Sequence, residues 1–129
     1  MRSRFGVEVW LLIAVAAATA GCARQAVVAS EPGNPGAVRA SVDASLRADL
    51  ARLAEAQRSY REREGRYADN LAALGFSPTA GVTVSILQGD RNGFSAIANS
   101  GDFECAVYSG SIRSPRSYVT SPDAIACRS

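Results

Sequence analysis

The stretch that decides the fold is Leu46–Tyr60, which reads LRADLARLAEAQRSY. Around it, one set of positions recurs at steps of three and four residues, the spacing of one face of an α-helix. This stripe consists of Val42, Leu46, Leu50, Leu53, Gln57 and Tyr60. We therefore predict one long helix over about residues 37–64. Gly65 follows it as a residue suited to the C-terminal cap.

Carboxylates on this helix could be interpreted as a pair for acid–base catalysis. The candidates are Asp49, Glu55, Glu62 and Glu64. Their helical spacing and the arginines between them favour a solvated face with ion pairs instead. Two tyrosines, Tyr60 and Tyr67, are predicted to seal the junction between helix and sheet rather than to form a binding patch.

A compact stretch follows the helix. Asp69 and Gly75 have the residue types of a helix cap and a helix stop, which predicts a short helical turn between them. Leu71, Leu74 and Phe76 are expected to pack under the sheet.

Beyond Gly81 the apolar period changes to two, which is typical of strands. Three runs begin at Val82, Phe94 and Phe103, and turn residues at 89–93 and 99–102 separate them. They predict an antiparallel meander. Residues 124–127 are either a fourth edge strand or a pinned coil. The fold class is α+β: a long N-terminal helix on a three- to four-stranded antiparallel sheet.

The N-terminus has the pattern of an export signal. A basic start with Arg2 and Arg4 precedes the apolar run Val9–Ala20, which is shorter than the roughly 20 residues that a membrane-spanning helix needs. The run ends in Thr19-Ala20-Gly21-Cys22, which resembles the lipid-attachment signal of bacterial lipoproteins, although Thr19 departs from it. An ordinary signal peptide with a stray cysteine, or a degenerate prepilin leader, are the alternatives.

The lipoprotein resemblance implies a domain organisation and a location. Residues 1–21 would be the signal peptide, Cys22 the lipid attachment site, residues 22–36 a Pro/Gly-containing tether and residues 37–129 the folded domain. Ala23 favours the outer membrane, on its periplasmic face.

The chain has three cysteines, an odd number that flags a leftover thiol in an exported protein. Lipidation of Cys22 would resolve this, leaving one pair. An oxidising compartment then favours a disulfide between Cys105 and Cys127 that ties down the C-terminal segment.

Composition excludes several kinds of function. The 129 residues include no histidine, so histidine-dependent nucleophilic catalysis and histidine metal sites are ruled out. A formal charge of +2 disfavours a nucleic-acid partner. The turn 89–93 has too few ligands for a calcium loop. We predict no enzyme activity, no catalytic residue, no metal and no cofactor.

Several motifs in order resemble type IV pilins and pseudopilins over about residues 40–127. Ala56-Gln57 with Tyr60 leads into Gly65-Arg66-Tyr67. Cys105 and Cys127 resemble the two cysteines that mark the beginning and the end of the disulfide-bonded C-terminal region of pilins. The long apolar helix through which pilins assemble is replaced here by a lipoprotein-like start. The resemblance therefore implies the globular fold and not filament assembly.

These observations predict a non-enzymatic module tethered to the membrane by its lipid, with a structural or protein-interaction role in the envelope. Its contact surface would be the loop at about 106–126, because loops on a rigid scaffold carry function. The candidate contact residues are Tyr108, Arg113, Arg116 and Tyr118. The alternatives are a divergent minor pilin or pseudopilin of a pilus or type II secretion system, and a small periplasmic ligand-binding module or enzyme inhibitor. A filled helix–sheet interface would favour the first reading, and an apolar concavity there the last.

Overall fold

The computed structural model describes residues 34–129, which form a long helix and a short one with a four-stranded antiparallel sheet. The elements are α1 (Pro35–Glu64), α2 (Leu71–Leu74), β1 (Thr83–Gly89), β2 (Gly93–Ser100), β3 (Phe103–Gly110) and β4 (Ala126–Arg128). The strands lie in the order β1-β2-β3-β4, which confirms the α+β class. The predicted signal peptide, the lipid site Cys22 and the tether up to residue 33 lie outside the described residues.

Helix α1 begins two residues earlier than predicted. The side chain of Asn34 accepts hydrogen bonds from the backbone N–H groups of Gly36 and Ala37, at 3.1 and 3.3 Å. Pro35 fits the first helical position because it has no N–H to leave unsatisfied. The helix ends at Glu64, and its C-cap Gly65 adopts the left-handed conformation at φ 72° and donates its N–H to Arg61 O. Within residues 34–129, neither helix is both long and apolar enough to cross a membrane.

The predicted stripe of α1 is the buried side of the helix. Leu46, Leu50, Leu53 and Gln57 are fully buried. They face the apolar side chains that alternate along the strands, as predicted, namely Val84, Phe94, Ala96, Ala98, Cys105 and Val107. The centre of the interface between helix and sheet is therefore filled by side chains.

Gln57 is a buried polar residue of this core, and its side chain is hydrogen-bonded to the loop that follows α1. Its side-chain amide donates to the carbonyl oxygen of Ala68 at 2.8 Å and accepts from the N–H of the same residue at 2.7 Å. The loop after α1 is thus fixed to the helix by both polar groups of one residue. Tyr67, beside it, is nearly buried, and its ring lies 5.3 Å from that of Phe94.

Asp49 corrects the prediction of a wholly solvated acidic face. It is 1% exposed and accepts hydrogen bonds from Thr79 N, Thr79 Oγ1 and Arg52 Nη2, at 2.8, 2.7 and 2.5 Å. Burial raises the pKa of Asp49, but these hydrogen bonds outweigh it, and the pKa lies below the ordinary 3.8. The ionised form therefore stabilises the fold at neutral pH, and this contribution is lost as the pH falls through the lowered pKa.

Glu55 conforms to the prediction for the acidic face. It is exposed and pairs with Arg58, one turn further along the helix. Glu62 and Glu64 are also exposed.

Helix α2 is capped one residue later than predicted. Asn70, not Asp69, is the N-cap, because its side chain accepts the N–H of Ala73 at 2.8 Å. Gly75 ends the helix in the left-handed conformation, as expected. Leu71, Leu74 and Phe76 pack against the main core.

The C-terminal residues form the fourth edge strand, which decides between the two predicted alternatives. β4 pairs with β3 through Glu104–Arg128, Cys105–Cys127 and Ala106–Ala126. At the other edge, the β1–β2 register shifts between Ile86 and Gln88, which marks a β-bulge.

The outer face of the sheet carries a second, smaller cluster that the sequence analysis did not predict. Ile97 and Ala106 are directly paired on β2 and β3, and Val119 covers them. Val119 belongs to residues 111–125, here named the C-terminal segment. The segment forms a second layer over the sheet, opposite α1.

We expect Gln57→Met to lower the free energy of unfolding by about 2–4 kcal/mol, because the buried N–H and C=O of Ala68 would both lose their partner. Urea unfolding measures this change. Gln88→Met is the matched control, because it removes one exposed hydrogen bond, to Asp90, and leaves no buried group without a partner, so it should lower stability by less than about 1 kcal/mol. A Gln57→Met protein as stable as the control would show that the two hydrogen bonds between Gln57 and Ala68 do not stabilise the fold.

Candidate functional site

The candidate site is the C-terminal segment together with the strands that hold it. The disulfide between Cys105 and Cys127 is present and joins directly paired residues of β3 and β4, with Cα atoms 3.9 Å apart. Cys105 is fully buried, so the bond fixes the end of the segment to the centre of the fold.

The Glu104 carboxylate accepts the hydrogen bonds that hold the C-terminal segment on the sheet. Arg116 donates to both of its carboxylate oxygens, Nε to Oε1 at 2.8 Å and Nη2 to Oε2 at 3.1 Å. The hydroxyl of Tyr118 donates to Oε1 at 2.8 Å. Arg128 Nε lies 3.7 Å from the same oxygen, and its guanidinium lies over the ring of Tyr118. One carboxylate on β3 thus binds two residues of the segment and one of β4.

The cluster shifts the ionisation of its members. The hydrogen bonds from Arg116 outweigh the effect of burial and, with the Tyr118 hydroxyl, hold the pKa of Glu104 below its ordinary value. Burial of Tyr118 and its hydrogen bond to the Glu104 carboxylate raise the pKa of the phenol to about 12. At neutral pH, Glu104 is therefore ionised and Tyr118 remains a hydrogen-bond donor.

The rest of the segment is held by backbone contacts. Ser114 Oγ lies 2.7 Å from the carbonyl oxygen of Arg116 and 2.6 Å from that of Val119, so its single proton can serve either. The N–H of Asp123 donates to Tyr108 O at 2.7 Å, and Asp123 itself has a positive φ of 62°. The segment is a folded loop with its own turns.

The four predicted contact residues divide into two groups. Arg116 and Tyr118 are occupied by Glu104, and Tyr108 packs against the outer cluster. Arg113 is exposed. The structure thus places all four on or beside one layer, but three of them hold that layer to the sheet.

The sequence analysis missed Glu104 and Arg128. A signal was available for Glu104, because it is the single acidic residue within the four strands, on the side that alternates away from Cys105. An isolated carboxylate at such a position indicates a cationic partner from another part of the chain.

A cleft of about 300 Å³ opens beside the disulfide. Its walls carry Arg39, Arg47 and Arg128, with Asp43 between them. Arg47 is already engaged, because its Nε lies 2.7 Å from Asp43 Oδ2 and its Nη1 donates to Ile125 O at 2.9 Å. The cleft lies between α1 and the β3–β4 edge of the sheet, and its walls are mixed, because Leu46, Phe103 and the disulfide lie beside the charged side chains.

Asp43 also approaches the disulfide, with Oδ1 3.9 Å from Cys105 Sγ. Cys105, Cys127 and Asp43 are the one group of three potential metal ligands in residues 34–129. The two sulfurs are bonded to each other, so in this state they do not offer the thiolates that bind metals.

The hairpin turn that could suggest a calcium loop is closed by the side chain of Asp90. Asp90 Oδ1 accepts the N–H groups of Asn92 and Gly93, at 2.7 and 3.2 Å. A hydrogen bond from the Gln88 side chain and those from the turn backbone hold the pKa of Asp90 below its ordinary value. This is the geometry of a turn stabilised by an aspartate side chain.

Neither a protein-family model nor a curated protein matches this chain.

We expect Glu104→Gln to loosen the C-terminal segment, because a glutamine offers one acceptor oxygen where three donors converge. The pKa of Tyr118 should fall from about 12, and hydrogen exchange of the Val119 amide should accelerate at least about tenfold, since a hydrogen bond to a charged group contributes about 1.5–3 kcal/mol.

Both effects can be measured by NMR, with labelled tyrosine rings for the titration. Glu55→Gln, which removes an exposed helical carboxylate, is the control and should change neither quantity. Unchanged exchange at Val119 in Glu104→Gln would show that the cluster does not hold the segment.

Proposed function

We propose that this chain is a non-enzymatic, pilin-like protein of the bacterial cell envelope, tethered to the membrane through a lipid on Cys22. It acts by contact with another envelope protein through its C-terminal segment. The observation that carries the proposal is the docking of that segment. The Glu104 cluster and the disulfide hold it as a separate layer on the sheet, and it presents exposed polar side chains.

The fixed segment suits protein recognition. Its exposed side chains include Ser111, Arg113, Ser117, Thr120 and Ser121. Because the backbone beneath them is already ordered, binding costs little additional conformational entropy. Loops placed in this way on a rigid scaffold are common contact surfaces.

Two motifs of the pilin resemblance are joined by a contact. Gln57 belongs to the Ala-Gln-x-x-Tyr stretch, and Ala68, whose backbone it binds, directly follows the Gly-x-Tyr stretch. This gives a physical reason for the two motifs to occur together, and it supports the assignment of a pilin-like domain.

The start of α1 supports the tether over the pilin alternative. Asn34 has an extended backbone and caps the helix, and Pro35 occupies its first position. These are the signals of a helix that starts at this point. A pilin would instead continue one helix from its apolar N-terminus.

The packing beneath α1 supports a structural or contact role over ligand binding. Leu46, Leu50 and Leu53 are fully buried and fill the centre of the helix–sheet interface. A ligand-binding module would keep an apolar cavity there.

The tether is tested by the intact mass of the full chain extracted from the membranes of its native-type host. We expect a mature protein that begins at Cys22 and carries an acyl-sized mass excess, and Cys22→Ala should lose both. A chain cut near Phe5 that retains Val9–Ala20 would overturn the tether and support the minor-pilin alternative.

The contact role is tested by placing a photo-crosslinking residue at Arg113 or Ser117 in the same host. We expect a defined protein adduct from both positions, and less of it in Glu104→Gln/Cys105→Ser/Cys127→Ser, where the segment has lost both the Glu104 cluster and the disulfide. The same residue at Glu55, exposed on α1, is the control. Equal adducts from position 55, or no defined adduct from position 113 or 117, would refute this contact surface.

A further inference from the structure

We propose that the end of the folded domain where α1 begins is a membrane-docking site, in which a cleft lined by arginines binds the headgroup of an anionic phospholipid. The site holds the domain against the bilayer surface, in addition to the lipid on Cys22. This inference deepens the proposed function and rests on its membrane tether. It concerns a different surface from the C-terminal segment, which carries the proposed protein contact.

Two adjoining depressions form this site, here named the arginine cleft. The first is the cleft of about 300 Å³ beside the disulfide, and the second, of about 430 Å³, lies next to it. They share Arg39 and Phe103 as wall residues, and the second is completed by Asn34, Pro35 and Val38. The arginine cleft therefore runs along the first turns of α1, beside the start of β3. Volumes of this size accommodate small organic ligands.

Arg39 is exposed at the point where the two depressions meet. Within residues 34–129 it forms no ion pair. Asp43, one turn further along α1, is engaged by Arg47, whose Nε lies 2.7 Å from its Oδ2. Among the described residues, therefore, no carboxylate neutralises the Arg39 guanidinium.

Arg128 supplies a second positive charge from β4. Its side chain is 65% exposed, and its Nε lies 3.7 Å from Glu104 Oε1. That carboxylate already accepts two hydrogen bonds from Arg116, at 2.8 and 3.1 Å, so one negative charge faces two guanidinium groups. The arginine cleft therefore carries an excess of positive charge. Guanidinium groups bind phosphate with good geometry, so an anion of this kind suits the site.

Apolar side chains lie beside these charges. Val38 is 49% exposed although it is a large hydrophobic residue, and Pro35 and Phe103 line the same depression. A phospholipid has a phosphate next to its glycerol and acyl carbons, and amphipathic surfaces bury their apolar side at this boundary. A phospholipid therefore uses both the arginines and the apolar wall, whereas a small inorganic anion uses the arginines alone.

The path of the chain selects the membrane as the source of this anion. Asn34 lines the arginine cleft and is the residue at which the proposed tether joins the domain. Cys22 lies twelve residues before it, and a chain of that length reaches at most about 40 Å. An anchor at Cys22 therefore keeps the cleft close to the bilayer and raises the effective concentration of headgroups around it.

The basic residues at the other end of α1 are less suited to this role. The helix has 30 residues and is therefore about 45 Å long. Its last turn contains Arg61 and Arg63, but Glu62 and Glu64 alternate with them. The charge there is balanced, and the position is distant from the tether. The domain therefore docks with the beginning of α1 toward the bilayer.

The test places the full chain, as extracted from its host, in nanodiscs that contain a lipid with a spin label on its headgroup. NMR measures how strongly this label relaxes the backbone amides. One set of nanodiscs is phosphatidylcholine, and in the other set one-third of the lipid is phosphatidylglycerol. We expect the amides of residues 36–40 and of Phe103 to relax at least about fivefold faster in the anionic nanodiscs, since one arginine near an anionic surface strengthens binding by about that factor. Added salt should reduce the difference.

Variants assign the effect to the arginine cleft. Arg39→Gln/Arg128→Gln removes both cations and should return the relaxation to its value in phosphatidylcholine. Arg63→Gln/Arg91→Gln removes the same charge at exposed positions outside the cleft and should relax like the native chain. Arg39→Gln alone should lower the enhancement severalfold, and it leaves the Glu104 cluster intact.

Three results would overturn the proposal: no enhancement in phosphatidylglycerol nanodiscs, an equal loss in Arg63→Gln/Arg91→Gln, or shifts of the same amides by inorganic phosphate in phosphatidylcholine nanodiscs. The last would show a site for a free anion.

The intact mass separates this proposal from the tether on which it rests. Acylation at Cys22 without the enhancement would leave the tether standing and refute the docking site. The enhancement without acylation would support the docking site and refute the lipid anchor.

Discussion

The two hydrogen bonds between the Gln57 side chain and the backbone of Ala68 set the position of the sheet on the helix. Ala68 is held by both its N–H and its carbonyl group, and its carbonyl lies directly against Gly89. A Cβ at position 89 would come within 1.9 Å of that oxygen, so only glycine fits. Since Gly89 ends β1, one buried side-chain amide transmits the position of α1 to the first hairpin.

On each face of the sheet, a buried carboxylate holds a loop in place through hydrogen bonds. Asp49 on α1 binds the loop at Thr79, and Glu104 on β3 binds the C-terminal segment through Arg116 and Tyr118. Each carboxylate accepts from three donors, which compensates for its burial. Loops with few apolar residues cannot be placed by packing alone, and directional hydrogen bonds fix where they lie.

Local patterns in the sequence predicted the helix stripe and the three hairpin strands, because both depend on spacing along the chain. The pairing of Cys105 with Cys127 followed instead from the cysteine count and an oxidising compartment. The inward position of Gln57 followed from the same period. Asp49 was misjudged because its partner, Thr79, lies 30 residues away and no local period signals it. The outer cluster was missed for the same reason, since Ile97 and Ala106 have no apparent cover until the C-terminal segment folds back over them.

The contacts around Glu104 require arginine rather than lysine. The chain's 14 basic residues are all arginine, and the sequence alone attaches no function to that. Arg116 binds both oxygens of Glu104 through a planar fork, while Arg128 stacks over the ring of Tyr118. A lysine presents a single ammonium and could not reproduce either the two-point contact or the flat stacking. The position of the C-terminal segment therefore depends on guanidinium geometry as well as on charge, and the layer that we propose as a contact surface owes its fixed shape to both.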